Sequence, residues 1–94
     1  MADQQIQIKA GDETLKGVYA NLMQVSHLNE EFVLDFMTVY PFQNIGTLNA
    51  RVLISPAHMK RMIAAMQENM KRFEDAHGTI QAGSVTNPEV GFQA

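Results

Sequence analysis

Cysteine and tryptophan are both missing from this 94-residue chain, and only three prolines occur. Without cysteine there is no disulfide and no thiolate to bind a metal or attack a substrate, and no other ligand cluster for a structural metal is visible, so two common supports of a small core are not expected. Cations are also scarce. Seven Lys and Arg against ten Asp and Glu leave a net charge of −3. Phosphate binding needs clustered cations that displace counterions, so this balance disfavours a broad nucleic-acid surface. Only Lys60–Arg61 and Lys71–Arg72 are adjacent pairs, with Glu68, Glu74 and Asp75 among them, which reads as a solvated helix face with local ion pairs. No apolar run approaches the roughly 18 residues of a membrane span. The opening MADQQIQIK has neither the basic start nor the apolar stretch of a signal peptide. A soluble, cytoplasmic protein without a membrane partner is expected.

Signatures of chemistry are missing too. His27, His58 and His77 have no metal-ligand spacing and no cysteine to complete a site. His58 falls in the first turn of the helix described below and His77 at its end, where surface and capping roles are expected. Ser26 and His27 are adjacent in sequence, but neighbours along a strand point to opposite faces, and a nucleophile must meet its base in space. The six glycines are isolated, so no phosphate-binding loop is present. Glu30–Glu31 reads as solvated charge on a loop. No catalytic residue, cofactor or metal is assigned, and the chain is expected not to be an enzyme.

What is present is pattern. Ser55 to Gly78 reads as one complete amphipathic helix: Ser55 suits the N-cap, Pro56 the first turn, and Gly78 the stop. Its apolar stripe is Met59, Met62, Ile63, Met66, Met70 and Phe73. Four of the seven methionines fall on it, and Met either fills an irregular core or accepts varied partners in a groove. Upstream, Leu15–Val25, Glu31–Tyr40 and Leu48–Ile54 alternate as strands. In the second, Phe32, Leu34 and Phe36 oppose Val33, Met37 and Val39; in the third, Ala50, Val52 and Ile54 oppose Arg51 and Leu53. Pro41 and Gly46 punctuate the loop between them. Residues 1–13 are expected to be a polar arm or an edge strand. Residues 81–94 read as a disordered tail in which Val85, Val90 and Phe92 have no period.

Together these predict an α+β domain over residues 14–80: an antiparallel meander of three to four strands followed by one long helix packed on one sheet face. A helix covers one face only. The other, assigned to Val33, Met37, Val39 and Leu53, with an Asp35–Arg51 ion pair and Met37 opposite Arg51, is expected to meet a second subunit. A folded part of roughly 70 residues is marginal alone, which also favours a homodimer or a dimer of dimers.

The succession GVYANLMQVSHLNEEFVLDF and ARVLISPAHMKRMIAAMQENMKRFEDAHGTI resembles a family of small, uncharacterised bacterial and archaeal proteins with YxN, EEFxLDF, ARVxxSPxHxKR and QxNxxxFExxxGxI motifs. The matching positions are Tyr19, Asn21, Glu31, Phe32, Asp35, Phe36, Arg51, Ser55, Pro56, Lys60, Asn69 and Gly78. The resemblance spans about residues 17–80 and implies no activity. By topology alone, a meander followed by a long helix is similar to the SecB-type export chaperones, an analogy of fold without a shared motif. The leading expectation is therefore a non-enzymatic oligomer acting as an interaction or structural protein. The alternative is a chaperone-like or peptide-binding module that uses the Met-rich stripe or a sheet face, with nucleic-acid binding ranked below both.

Overall fold

Alternation of apolar and β-branched residues gives way to a 3.6-residue period at Ser55, and the architecture changes there from sheet to helix. The structure, a computed structural model, describes residues 5–83 and 89–92. Its elements are α1 (Asp12–Lys16), β1 (Leu22–His27), β2 (Phe32–Tyr40), β3 (Ile45–Ile54) and α2 (Pro56–His77). The strands form one three-stranded antiparallel sheet in the order β1-β2-β3. The α+β meander followed by a long helix is thus as expected.

The first strand is shorter than Leu15–Val25. Residues 12–16 form α1, and Gly17 then turns the chain with φ 77°, its N–H donating to the Thr14 carbonyl at 3.1 Å. That positive φ suits glycine and interrupts extended backbone. Leu15, Val18 and Tyr19 are consequently exposed rather than facing a core. The described part of the N-terminal arm, residues 5–11, joins no strand; residues 1–4 lie outside the described residues.

Register differs from expectation by two residues at one place. Asp35, not Met37, stands opposite Arg51, and Met37 stands opposite Leu48. Between the pairs Phe36–Ala50 and Met37–Leu48 the ladder shifts, leaving Asn49 as an extra residue on β3. The Asp35–Arg51 pairing differs from the expected Met37–Arg51 one by two residues, an even number that leaves Asp35, Met37 and Arg51 on one face, while the one-residue bulge turns Leu48 to that face as well. One face, the ion-pair face, therefore carries Leu22, Val33, Asp35, Met37, Val39, Arg51 and Leu53. The other, the aromatic face, carries Met23, Val25, Phe32, Leu34, Phe36, Val52 and Ile54. The β2–β3 turn ends at Asn44 with φ 53°. Gly46 follows, so close to β2 that a Cβ there would stand 2.8 Å from Val39 Cγ1 and 2.9 Å from the Thr38 carbonyl oxygen.

Both ends of α2 match their sequence signals. Ser55 Oγ accepts the His58 backbone N–H at 3.1 Å, Pro56 opens the first turn, and Gly78, at φ 94°, donates to the Glu74 carbonyl at 2.8 Å. The expected packing of this helix across a face of its own sheet is not made. No residue of α2 is buried, and the extensive contacts between elements are the two strand pairs. A single residue, Ser55, links β3 to α2, and the following proline confines it to extended backbone, observed at φ −74° and ψ 155°. One extended residue cannot reverse the chain, so the stripe is not laid back on the sheet. The radius of gyration is 16.5 Å, against about 12 Å for a compact chain of this length.

Beyond α2 the chain doubles back. The Ile80 N–H donates to Glu74 Oε2 at 2.8 Å, and Ile80 lines a shallow apolar groove with Ala65, Met66, Asn69, Met70 and Phe73. The sequence reading of residues 81–94 as a disordered tail falls in part, Val85 included, on residues 84–88 and 93–94, which lie outside the described residues. Residues 89–92 flank the ion-pair face beside Leu22, Met37, Val39 and Leu48. Val90 is half-buried there and Phe92 is exposed.

Candidate functional site

Two surfaces are distinctive, one polar at its centre and one wholly apolar. The first is the ion-pair face. Its cross-strand pair places Arg51 Nε 2.7 Å from Asp35 Oδ1 and Nη2 3.1 Å from Oδ2, a bidentate contact. Asp35 is 5% exposed, whereas about half of the Arg51 side chain is open to solvent. The Arg51 hydrogen bonds outweigh the cost of burial and hold the Asp35 carboxyl below the usual carboxylate range. Asp35 in turn raises the Arg51 guanidinium above its ordinary value. Phe92 lies against the guanidinium, its ring centroid 5.3 Å from Cζ.

Of the residues expected at an interface on this face, Met37 and Asp35 are buried within the single chain, Val33 and Val39 are half-buried, and Arg51 and Leu53 are exposed. The structure thus brings all six onto one face but leaves only part of that face open.

The second surface is the α2 stripe. Met59 and Met62 are half-buried, and the rest of the stripe is more exposed: Ile63 41%, Met66 55%, Met70 50% and Phe73 48%. All six predicted stripe residues share one side of a well-capped helix. The opposite side is held by ion pairs, Lys71–Asp75 at 2.8 Å and Arg72–Glu68 at 2.5 Å. Two of the four paired cations, Lys71 and Arg72, are thus engaged locally.

Sequence reasoning missed a polar clasp at the start of β1. Asn21 Oδ1 accepts the Val39 N–H at 2.8 Å while its Nδ2 donates to the Val39 carbonyl at 3.0 Å. A side-chain amide thereby imitates one more residue of strand. Thr38 Oγ1 and Asn49 Nδ2 both donate to the Tyr19 carbonyl, at 2.6 and 2.8 Å, and Asn49 also donates to Thr38 Oγ1 at 2.7 Å. The available signal was an asparagine, poor in strand propensity, inside an otherwise apolar strand pattern.

Chemistry finds less support. Ser26 stands opposite Val33 and His27 opposite Phe32, so the two point to different faces. The His27 ring lies 5.7 Å from that of Phe32, and His77 lies 4.7 Å from Phe73. Among the described residues no cluster of three or more His, Cys, Asp or Glu is placed to hold a metal. Among the same residues no helix is long and apolar enough to cross a membrane.

A protein-family model described as "Protein of unknown function (DUF3467)" matches residues 1–82. The chain belongs to the DUF3467 family. This is the family of small uncharacterised proteins that its motifs resemble. No curated protein and no solved structure matches the chain. The DUF3467 match takes in the sheet, the whole of α2 and Ile80, and hence both the aromatic face and the stripe. Residues 89–92, which flank the ion-pair face, lie beyond it.

Proposed function

We propose that this DUF3467 protein is a non-enzymatic, self-associating interaction protein, acting in the cytoplasm as a homodimer or a dimer of dimers. The observation that carries the reading is α2 itself, a 22-residue helix with sound caps and not one buried residue. An amphipathic helix is stabilised chiefly by burying its apolar side, and among the described residues none on this helix is fully buried within its own chain. Ile63, Met66, Met70 and Phe73, each between 41% and 55% exposed, form a contiguous apolar strip of the kind that marks an association surface. Light scattering coupled to size-exclusion chromatography tests it. A dimer or tetramer at micromolar concentration is expected, and a stable, folded monomer overturns the proposal. Met66→Asp is expected to drive the assembly toward monomer, because a desolvated, unpaired charge is costly at an apolar interface.

The groove of Ala65, Met66, Asn69, Met70, Phe73 and Ile80 favours a second reading, a peptide-binding or chaperone-like module. If that is the role, the intact oligomer suppresses aggregation of an unfolded client and binds an apolar dye without denaturant. Failure of both removes it. Nucleic-acid binding has weaker support, since Lys71 and Arg72 are paired within the helix; absence of a gel shift at low salt eliminates it.

A further inference from the structure

We infer that the dimer is an exchanged one, in which α2 of each chain lies across the aromatic face of the other chain's sheet. The inference rests on the self-association proposed above and specifies which surfaces meet. Three observations carry it.

The first is connectivity. Ser55 is the sole residue between Ile54 at the end of β3 and Pro56 at the start of α2, and its extended backbone directs the helix onward rather than back over its own sheet. A partner's sheet is free of that constraint. The second is complementarity. The aromatic face carries no Asp, Glu, Lys or Arg on any of its three strands, and its flanks are open, with Met23, Val25 and Val52 38%, 45% and 40% exposed. The ion-pair face, by contrast, has the Asp35–Arg51 pair at its centre and residues 89–92 along it. An uncharged stripe meets an uncharged face without burying a charge.

The third observation is area. A 22-residue helix is about 33 Å long and roughly 10 Å wide, and so covers on the order of 300 Å² of sheet in projection. A two-fold axis makes the contact twice, each time burying both partners. That removes on the order of 1,200 Å² from water, the lower end of the range for stable, specific interfaces. Pairing the two stripes helix to helix makes one contact instead of two, removes about half as much, and leaves both aromatic faces open.

The chain has no cysteine, so placed thiols can be cross-linked without background. Val52→Cys and Met66→Cys chains are mixed, unfolded, refolded together and treated with a short bismaleimide. A covalent dimer that contains one chain of each kind, absent from either variant alone, is the expected result. Efficient cross-linking of Met66→Cys to itself overturns the exchange in favour of a helix-to-helix dimer while leaving self-association standing. Cross-linking at monomer mass in a Val52→Cys, Met66→Cys double variant also overturns it, since α2 then reaches its own sheet. A monomer in light scattering removes the self-association reading itself. Should either variant misfold, mixed dimers of differently isotope-labelled wild-type chains serve instead. Intermolecular methyl contacts between Met66 and Val52 are expected in their NMR spectra, and their absence in a dimer refutes the exchange.

Discussion

Asp35 and Arg51 face each other across β2 and β3 with two hydrogen bonds, of 2.7 and 3.1 Å, between a buried carboxylate and a half-open guanidinium. Their pairing makes the ion-pair face pH-sensitive in a definite direction. The folded-state pKa of Asp35 is depressed, with the Arg51 hydrogen bonds as the largest cause. Its contribution to stability is therefore fully present above the ordinary aspartate value, about 3.9, and is lost as pH falls through the lower folded value. Denaturant titrations of wild type and Asp35→Asn at several pH values are expected to differ most at neutral pH and to converge as pH drops below about 4. Arg51→Ala is expected to lower the neutral-pH midpoint more than the double variant Asp35→Asn, Arg51→Ala, because only the single variant strands a buried carboxylate.

Asn21 closes the end of β1 by bonding both backbone groups of Val39. Asn21→Ala leaves that N–H and carbonyl to find water, at an expected cost of about 1–3 kcal/mol. Asn21→Asp is expected to be no better at neutral pH, since its second oxygen confronts the Val39 carbonyl where an amide donor stood. Urea midpoints of the two variants against wild type check the order.

At the start of α2, Ser55→Ala removes the acceptor of the His58 N–H. Loss of such a cap costs about 0.5–2 kcal/mol. Ser55→Asp, which keeps an acceptor, is expected to retain most of the wild-type thermal midpoint.

Gly46 allows β3 to pass close to Val39 after the turn. With a new methyl 2.8 Å from Val39 Cγ1 and 2.9 Å from the Thr38 carbonyl oxygen, Gly46→Ala forces a strand apart and is expected to cost about 1–3 kcal/mol. Hydrogen exchange should show the loss first in the β2–β3 pairs from Thr38 to Tyr40.

Met66 separates surface from core. At 55% exposure in a single chain, Met66→Ala is expected to leave helix content unchanged in dilute solution while weakening the dimer about tenfold or more, the equivalent of about 1.5–3 kcal/mol for a methionine buried on association. Sedimentation equilibrium measures it.

Residue order by itself determined the local elements of this protein: the alternation of β2 and β3, the cap at Ser55 and Pro56, the stop at Gly78, and the six-residue stripe of α2. These depend on periods of two and 3.6 residues and on the conformational limits of single residues, all of which act within a few positions. The pairing of Asp35 with Arg51 was legible too, because opposite charges on two adjacent strands shared a predicted face. Tertiary structure decided the rest. The extra residue at Asn49 set the register that puts Asp35 directly opposite Arg51. Asn21, Thr38 and Asn49 came together with partners 11 to 30 positions away, and Phe92 came to rest on Arg51 from beyond the helix. Such contacts join segments distant in sequence, and no short-range pattern encodes where they close. Nor did the stripe's amphipathic pattern reveal what it faces. Periodicity requires that an apolar side be covered, but the geometry of one extended residue, Ser55, kept it from being covered by its own sheet.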